Sequence, residues 1–146
     1  AGRILAIEEE LRGEIHAEVP ELLARLDLVV ETEDSLRVVD FKTSRSRWNP
    51  HQAQDQAEQL LLYGELAREL APGKPLQLEF LVLTKTKTPA AESHWVAFEP
   101  GRLQRTKHLL SQVWHAIQAG HFYPSPSPLA CGTCPFRSPC RSWGAG

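Results

Sequence analysis

The sequence predicts an α/β domain in which a mixed sheet is covered by helices. Short segments rich in Val, Leu and Ile alternate apolar with polar residues, as half-buried strands do. Two longer stretches carry apolar residues at helical spacing. The segments run strand, strand, strand, helix, strand, strand, helix, with a cysteine-rich tail behind them.

Ile4 to Leu11 reads as a short helical remnant. Ile15 to Val19 (IHAEV) alternates and is predicted as a strand, and Ala24 to Glu31 (ARLDLVVE) as a second. The polar run Thr32-Glu33-Asp34-Ser35 is a turn, so the next strand, Leu36 to Lys42, should form a hairpin with its predecessor. A loop from Ser44 to Pro50 leads into a helix over Gln52 to Leu70, stopped by Pro72-Gly73. Leu76 to Leu83 is a strongly apolar fourth strand, and His94 to Phe98 a fifth. A second helix covers Gly101 to Ala119, with Leu103, Leu110, Val113, Trp114 and Ile117 on one face and Gly120 as its C-cap. YPSPSPL is a stiff lead into the cysteines.

The bulk properties bound the function. At 146 residues the chain has the size of one domain with one core. Its 42% hydrophobic and 23% charged residues are an ordinary globular mixture. A net charge of −2 excludes a globally basic nucleic-acid binder, leaving local patches. No apolar run is long enough for a membrane helix, and no signal peptide is visible. The chain starts Ala-Gly and contains no methionine, so it reads as an excised piece of a longer protein. All three cysteines lie within ten residues. That clustering suits a metal or cluster site in a reducing compartment better than a disulfide framework, and a cytoplasmic location is expected.

The chemistry-bearing segment is VVDFKTSRSRW. Asp40 and Lys42 are two residues apart on a strand and so share a face. Taken alone, they read as a solvated ion pair at a strand end. Asp27 lies 13 residues earlier, and the hairpin can bring it beside Asp40. Two such carboxylates repel, and a divalent cation relieves the repulsion. Hard oxygen ligands suit Mg²⁺ or Mn²⁺. On the following helix Gln52, Gln56, Gln59 and Tyr63 form a stripe. Gln52 and Gln56 fit a solvated face; Gln59 and Tyr63 sit inside the apolar run QLLLY.

RLDLV (Arg25 to Val29), VVDFKTS (Val38 to Ser44) and QLLLY (Gln59 to Tyr63) together resemble the RecB-like branch of the PD-(D/E)XK nucleases. The resemblance covers almost the whole chain and implies a restriction-endonuclease-like fold for a single domain over 1–146. It implies that Asp27 and Asp40 bind the metal with the main-chain carbonyl of Phe41, that Lys42 activates the attacking water, and that Gln59 and Tyr63 support the site. Two departures stand out. Ala24 occupies a position where the family usually has glycine. The family also has an acid or histidine on an upstream helix; Glu8, Glu9, Glu10 and Glu14 are stand-ins, none of them assigned, and an N-terminal truncation is expected.

Arg45, Arg47 and Trp48 follow the D-x-K strand. They suit phosphate neutralisation and base stacking, or an ordinary loop with Trp48 folded back on the helix. Further on, CGTCPFRSPC has the spacing C-x2-C-x5-C. Three thiolates are one short of the four that zinc or an iron–sulfur cluster takes, and His121 is a distant fourth. The same nuclease resemblance implies that Cys131, Cys134 and Cys140 hold a 4Fe-4S cluster in a tail over 121–146, with the fourth ligand outside this chain.

The reading is a Mg²⁺- or Mn²⁺-dependent DNA nuclease, an exonuclease, acting on single-stranded or unwound ends in repair, recombination or CRISPR adaptation, alongside a helicase or other repair subunit. The alternatives are a non-catalytic DNA-end-binding iron–sulfur module and a zinc-binding interaction module.

Overall fold

A computed structural model describes residues 2–49, 51–127 and 130–143. The chain divides into two compact units, residues 1–111 and 112–146.

The first unit is built on a five-stranded sheet in the order β1-β2-β3-β4-β5. The strands are β1 (Arg3–Gly13), β2 (Leu22–Glu31), β3 (Leu36–Ser44), β4 (Leu76–Thr84) and β5 (Ala91–Val96). The sheet is mixed, as expected: β3 and β4 are parallel and the other pairs antiparallel. The β2–β3 hairpin closes at the expected turn, where the Thr32 amide donates to the Ser35 carbonyl at 2.8 Å and the Ser35 amide to Thr32 Oγ1 at 3.0 Å. Parallel strands need a crossover, and here it is helical. It consists of α1 (Gln52–Asp55), α2 (Ala57–Ala67) and a 3₁₀ turn at Arg68–Leu70.

Helix α2 lies on β3 and β4 and buries Leu60 and Leu61 completely. Each such leucine contributes about 1.5–3 kcal/mol of burial. Gly64 permits the close approach, because a Cβ there would meet Leu78 Cδ2 at 2.7 Å. With Leu26, Val29, Leu36, Val38, Leu78, Phe80 and Val82, these residues make one continuous core.

Three expectations are corrected. Ile4 to Leu11 is no helix but the middle of β1, paired with β2 from Arg3↔Glu31 to Gly13↔Leu22. Its Glu- and Leu-rich composition favours helix only weakly, and pairing with β2 as the sheet's edge strand overrides that preference. Ile15 to Val19 is a turn rather than a strand: the Val19 amide donates to the His16 carbonyl at 3.0 Å, and only Ile15 is buried. The helix expected over Gln52 to Leu70 breaks at Gln56, whose φ of −107° and ψ of 8° leave the helical region. Its stripe of Gln52, Gln56, Gln59 and Tyr63 is therefore not continuous.

Helix α3 spans Pro100–Gln118. In the first unit it buries Leu103, Thr106 and Ser111. Arg102 ties it to the crossover helices, reaching Glu58 Oε1 at 2.6 Å and donating to the Gln54 carbonyl. The apolar face expected to continue through Val113 and Ile117 is not buried; those side chains are 47% and 45% exposed. In the second unit α3 ends at Gly120 in a Schellman arrangement. The Gly120 amide donates to the Ile117 carbonyl at 3.0 Å and the His121 amide to Ala116 at 2.9 Å, with φ at Gly120 of +69°. Short helices α4 (Ala130–Thr133) and α5 (Arg137–Arg141) complete this unit. Pro128 and Leu129 of the proline-rich lead lie outside the described residues.

Candidate active site

The β2–β3 ladder runs from Glu31↔Leu36 to Leu28↔Val39 and stops. One residue further, Asp27 and Asp40 would be partners. There the strands part, and a side chain fills the gap: the Phe41 amide donates to Asp27 Oδ2 at 2.7 Å. An extended residue presents its N–H and C=O toward the same neighbour. The Phe41 carbonyl therefore faces the gap that holds Asp27.

Asp40 is only 6% exposed, although it is a carboxylate. The parallel register sets it beside Phe80 of β4, and the antiparallel one sets Phe80 beside His94 of β5. Burial pushes the Asp40 pKa upward; hydrogen bonding and charge attraction from Lys42 oppose this, and the negative charge of Asp27 adds to the rise. The Lys42 ammonium lies 2.6 Å from Asp40 Oδ2. The contact is an ion pair by distance but lacks regular hydrogen-bond direction, so Oδ2 is a buried oxygen without a well-formed donor. Desolvation outweighs the ammonium, as expected for one imperfectly directed partner.

Such a donor set fits a hard divalent cation. Two neighbouring carboxylates and one main-chain carbonyl suit Mg²⁺ or Mn²⁺, which keeps several waters of its own. Among the described residues no group of three or more His, Cys, Asp or Glu side chains is placed to hold a metal ion. The upstream glutamates supply no third carboxylate. Glu8 has a left-handed φ of 47° and pairs with Arg25 at 3.5 Å.

The helix residues expected at the site are coupled to each other: Gln59 Nε2 donates to Tyr63 Oη at 2.9 Å across one turn of α2. Gln59 is exposed and Tyr63 half-buried against the core. Gln52 has another role. Its Oε1 accepts the Asn49 amide at 2.7 Å, while Asn49 Oδ1 accepts the Gln52 amide at 3.1 Å at the start of α1.

Of the loop residues, Arg45 is exposed, and Arg47 is exposed but paired with Glu92 at 3.1 Å. Trp48 is folded back, with its ring 5.5 Å from that of Phe80 and 5.7 Å from that of His94. His94 was not singled out from the sequence. Its buried Nε2 has no hydrogen-bond partner, and it stands in line with Asp40 and Phe80 across three strands. The even-numbered alternation of β4 carried that signal, but only once the register was known. Glu79 is a further buried acid on the opposite parity of β4, held by Ser93 Oγ at 2.5 Å.

In the second unit Cys131, Cys134 and Cys140 are unbridged and half-buried, and they do not converge. The Ser127 amide donates to Cys131 Sγ at 3.3 Å.

The fold has counterparts. A structure from Eubacterium rectale described as a "Putative exonuclease" superposes with a TM-score of 0.58 at 16% identity, covering 93% of this chain and 51% of that one. The structure of SSO0001 superposes with a TM-score of 0.59 at 18% identity, covering 92% and 59%. At these identities the likeness is one of fold, and the chain spans roughly half the length of either neighbour. No curated protein matches the sequence. The family model described as "PD-(D/E)XK nuclease superfamily" matches residues 2–141. Nearly the entire chain, including the strand fork that holds Asp27, Asp40 and Lys42, is thus accounted for by one family, and the protein belongs to the PD-(D/E)XK nuclease superfamily.

Proposed function

We propose that this chain is a Mg²⁺- or Mn²⁺-dependent deoxyribonuclease of the RecB-like branch that hydrolyses phosphodiester bonds at the β2–β3 fork. The observation that carries the reading is the buried Asp40 carboxylate at the register position opposite Asp27. A buried acid of that kind costs stability, and a cation-binding role accounts for it.

Asp27, Asp40 and the Phe41 carbonyl would hold the ion. When bound, it neutralises the paired carboxylates and stabilises negative charge on the phosphate. Lys42 orients the attacking water and offsets charge on the scissile group; its 2.6 Å approach to Asp40 sets its position. The Gln59–Tyr63 pair presents an amide and a phenol from α2 to support the strand being cut. Arg45 and Arg47 flank the same strand end and can neutralise neighbouring phosphates. Trp48 supports that loop from beneath, through Phe80 and His94, rather than stacking on a base.

Exonucleolytic action on single-stranded or unwound ends, in repair, recombination or CRISPR adaptation beside a helicase, extends the reading; the name of the Eubacterium rectale neighbour supports its exonuclease part. Among the described residues no helix is long and apolar enough to cross a membrane. A 4Fe-4S cluster on Cys131, Cys134 and Cys140 rests on the C-x2-C-x5-C spacing together with the nuclease resemblance and requires a fourth ligand from outside this chain. Iron content and broad visible absorbance test it; zinc without colour would contradict it.

The activity is tested on labelled single- and double-stranded DNA with Mg²⁺ or Mn²⁺. The parent is expected to cut and Asp40→Ala to be inactive. Equal cutting by both would overturn the assignment. Oligonucleotide bound but never cut would favour the non-catalytic end-binding module.

A further inference from the structure

The second unit carries an exposed aromatic cluster that the active site does not use. Phe122, Tyr123, Phe136 and Trp143 are 59%, 79%, 70% and 57% exposed, and they line an open cleft of about 340 Å³ with Cys140. Large apolar side chains left this open in one place mark an interaction site.

The local backbone makes the cluster an ordered surface. Phe136 is the N-cap of α5, Cys140 lies within that helix and Trp143 follows its C-cap Ser142; the Cys140 amide donates to the Phe136 carbonyl at 3.0 Å. Arg137 and Arg141 form the adjacent stripe of the same helix and line a neighbouring hollow with Ser138. Pro124 and Pro139 stiffen the cleft walls.

Charge indicates the occupant. All 18 acidic residues of the chain lie at or before Glu99, so residues 112–146 contain none. Their only full charges are Arg137 and Arg141. The whole chain is acidic at −2, while this unit is purely cationic around an aromatic surface. A protein or lipid partner could bury the aromatics. A single-stranded nucleic acid uses flat rings, a cationic stripe and the absence of carboxylates together.

We infer that the Phe122/Tyr123/Phe136/Trp143 cleft is a stacking platform for unpaired bases, with Arg137 and Arg141 on the adjoining phosphates. The inference takes its ligand class from the nuclease reading and adds a site separate from Asp27, Asp40 and Lys42.

The test is fluorescence anisotropy of labelled oligo(dT) on the full chain in EDTA, where cutting is suppressed. Phe136→Ala/Trp143→Ala is expected to weaken binding by about fivefold or more for each ring lost. Phe136→Tyr/Trp143→Phe keeps both rings and should bind like the parent. Arg137→Ala/Arg141→Ala should lower the slope of log affinity against log salt by about 1.4. Blunt duplex, whose bases are already stacked, should be indifferent to the aromatic changes. If the alanine pair binds oligo(dT) like the parent, the platform is wrong, whether or not the chain cuts DNA. If the alanine pair loses binding while the parent never cuts, the platform stands and the nuclease reading falls.

Discussion

Asp27 and Phe41 are joined where their strands part: the Phe41 amide donates to Asp27 Oδ2 at 2.7 Å, replacing the ladder bond that a continued β2–β3 pairing would have made. One side chain thus opens the fork and stands beside Asp40. Asp27→Asn keeps an oxygen acceptor but loses the charge, so it should fold normally and lose metal-dependent cutting. Asp27→Ala leaves the amide without its acceptor and should also cost about 1–2 kcal/mol in urea unfolding. Equal stability of the two variants would mean that the bond contributes nothing.

Asp40 should destabilise the metal-free protein. Its pKa is raised in the fold, chiefly by burial, above the ordinary 3.8. The folded chain therefore holds that proton to higher pH than the unfolded chain does. Stability from this group is greatest below the ordinary value and is lost as pH rises from there through the raised value. In EDTA, Asp40→Asn should raise the melting temperature at neutral pH, and the gain should vanish in acid. A lower melting temperature at neutral pH would contradict this account.

Arg102 should matter to stability with the opposite pH sign. Its contact with Glu58 lowers that carboxyl from its ordinary 4.5. The contribution is present above that value and is lost as pH falls through the lowered one. Glu58 is 45% exposed, so solvent screening keeps its share small; the carbonyl of Gln54 is the second partner lost. Arg102→Ala should cost about 1 kcal/mol at neutral pH, and less in acid, in chemical denaturation.

Gly64 should resist enlargement. Its missing Cβ leaves room for Leu78 Cδ2, which would stand 2.7 Å away. Gly64→Ala should destabilise by about 1–3 kcal/mol despite the better helix propensity of alanine. A stabilised variant would show that Leu78 yields without cost.

The parts legible in the sequence were those coded locally. The Thr32–Ser35 turn, the apolar run of β4 and the Gly120 cap each rest on a few adjacent residues, and the structure has all of them. β1 was not legible, because EEEL has helical composition and only its pairing with β2 makes it a strand. At the site, Asp40 and Lys42 could be put on one face from alternation alone. Whether Asp27 met them depended on where the ladder stops, which is a property of register. Trp48 was undecidable between base and core, since its partners Phe80 and His94 arrive from strands 32 and 46 residues further on.

The central claim is that the fork separates holding a cation from activating water, with Lys42 responsible for the latter. The single-turnover cutting rate of Lys42→Ala, measured with Mn²⁺ occupancy followed by electron paramagnetic resonance, tests it most directly. The account predicts that Mn²⁺ still binds through Asp27 and Asp40, while cutting falls on the order of 10²- to 10⁴-fold. A variant that binds Mn²⁺ and cuts at the parental rate would contradict it.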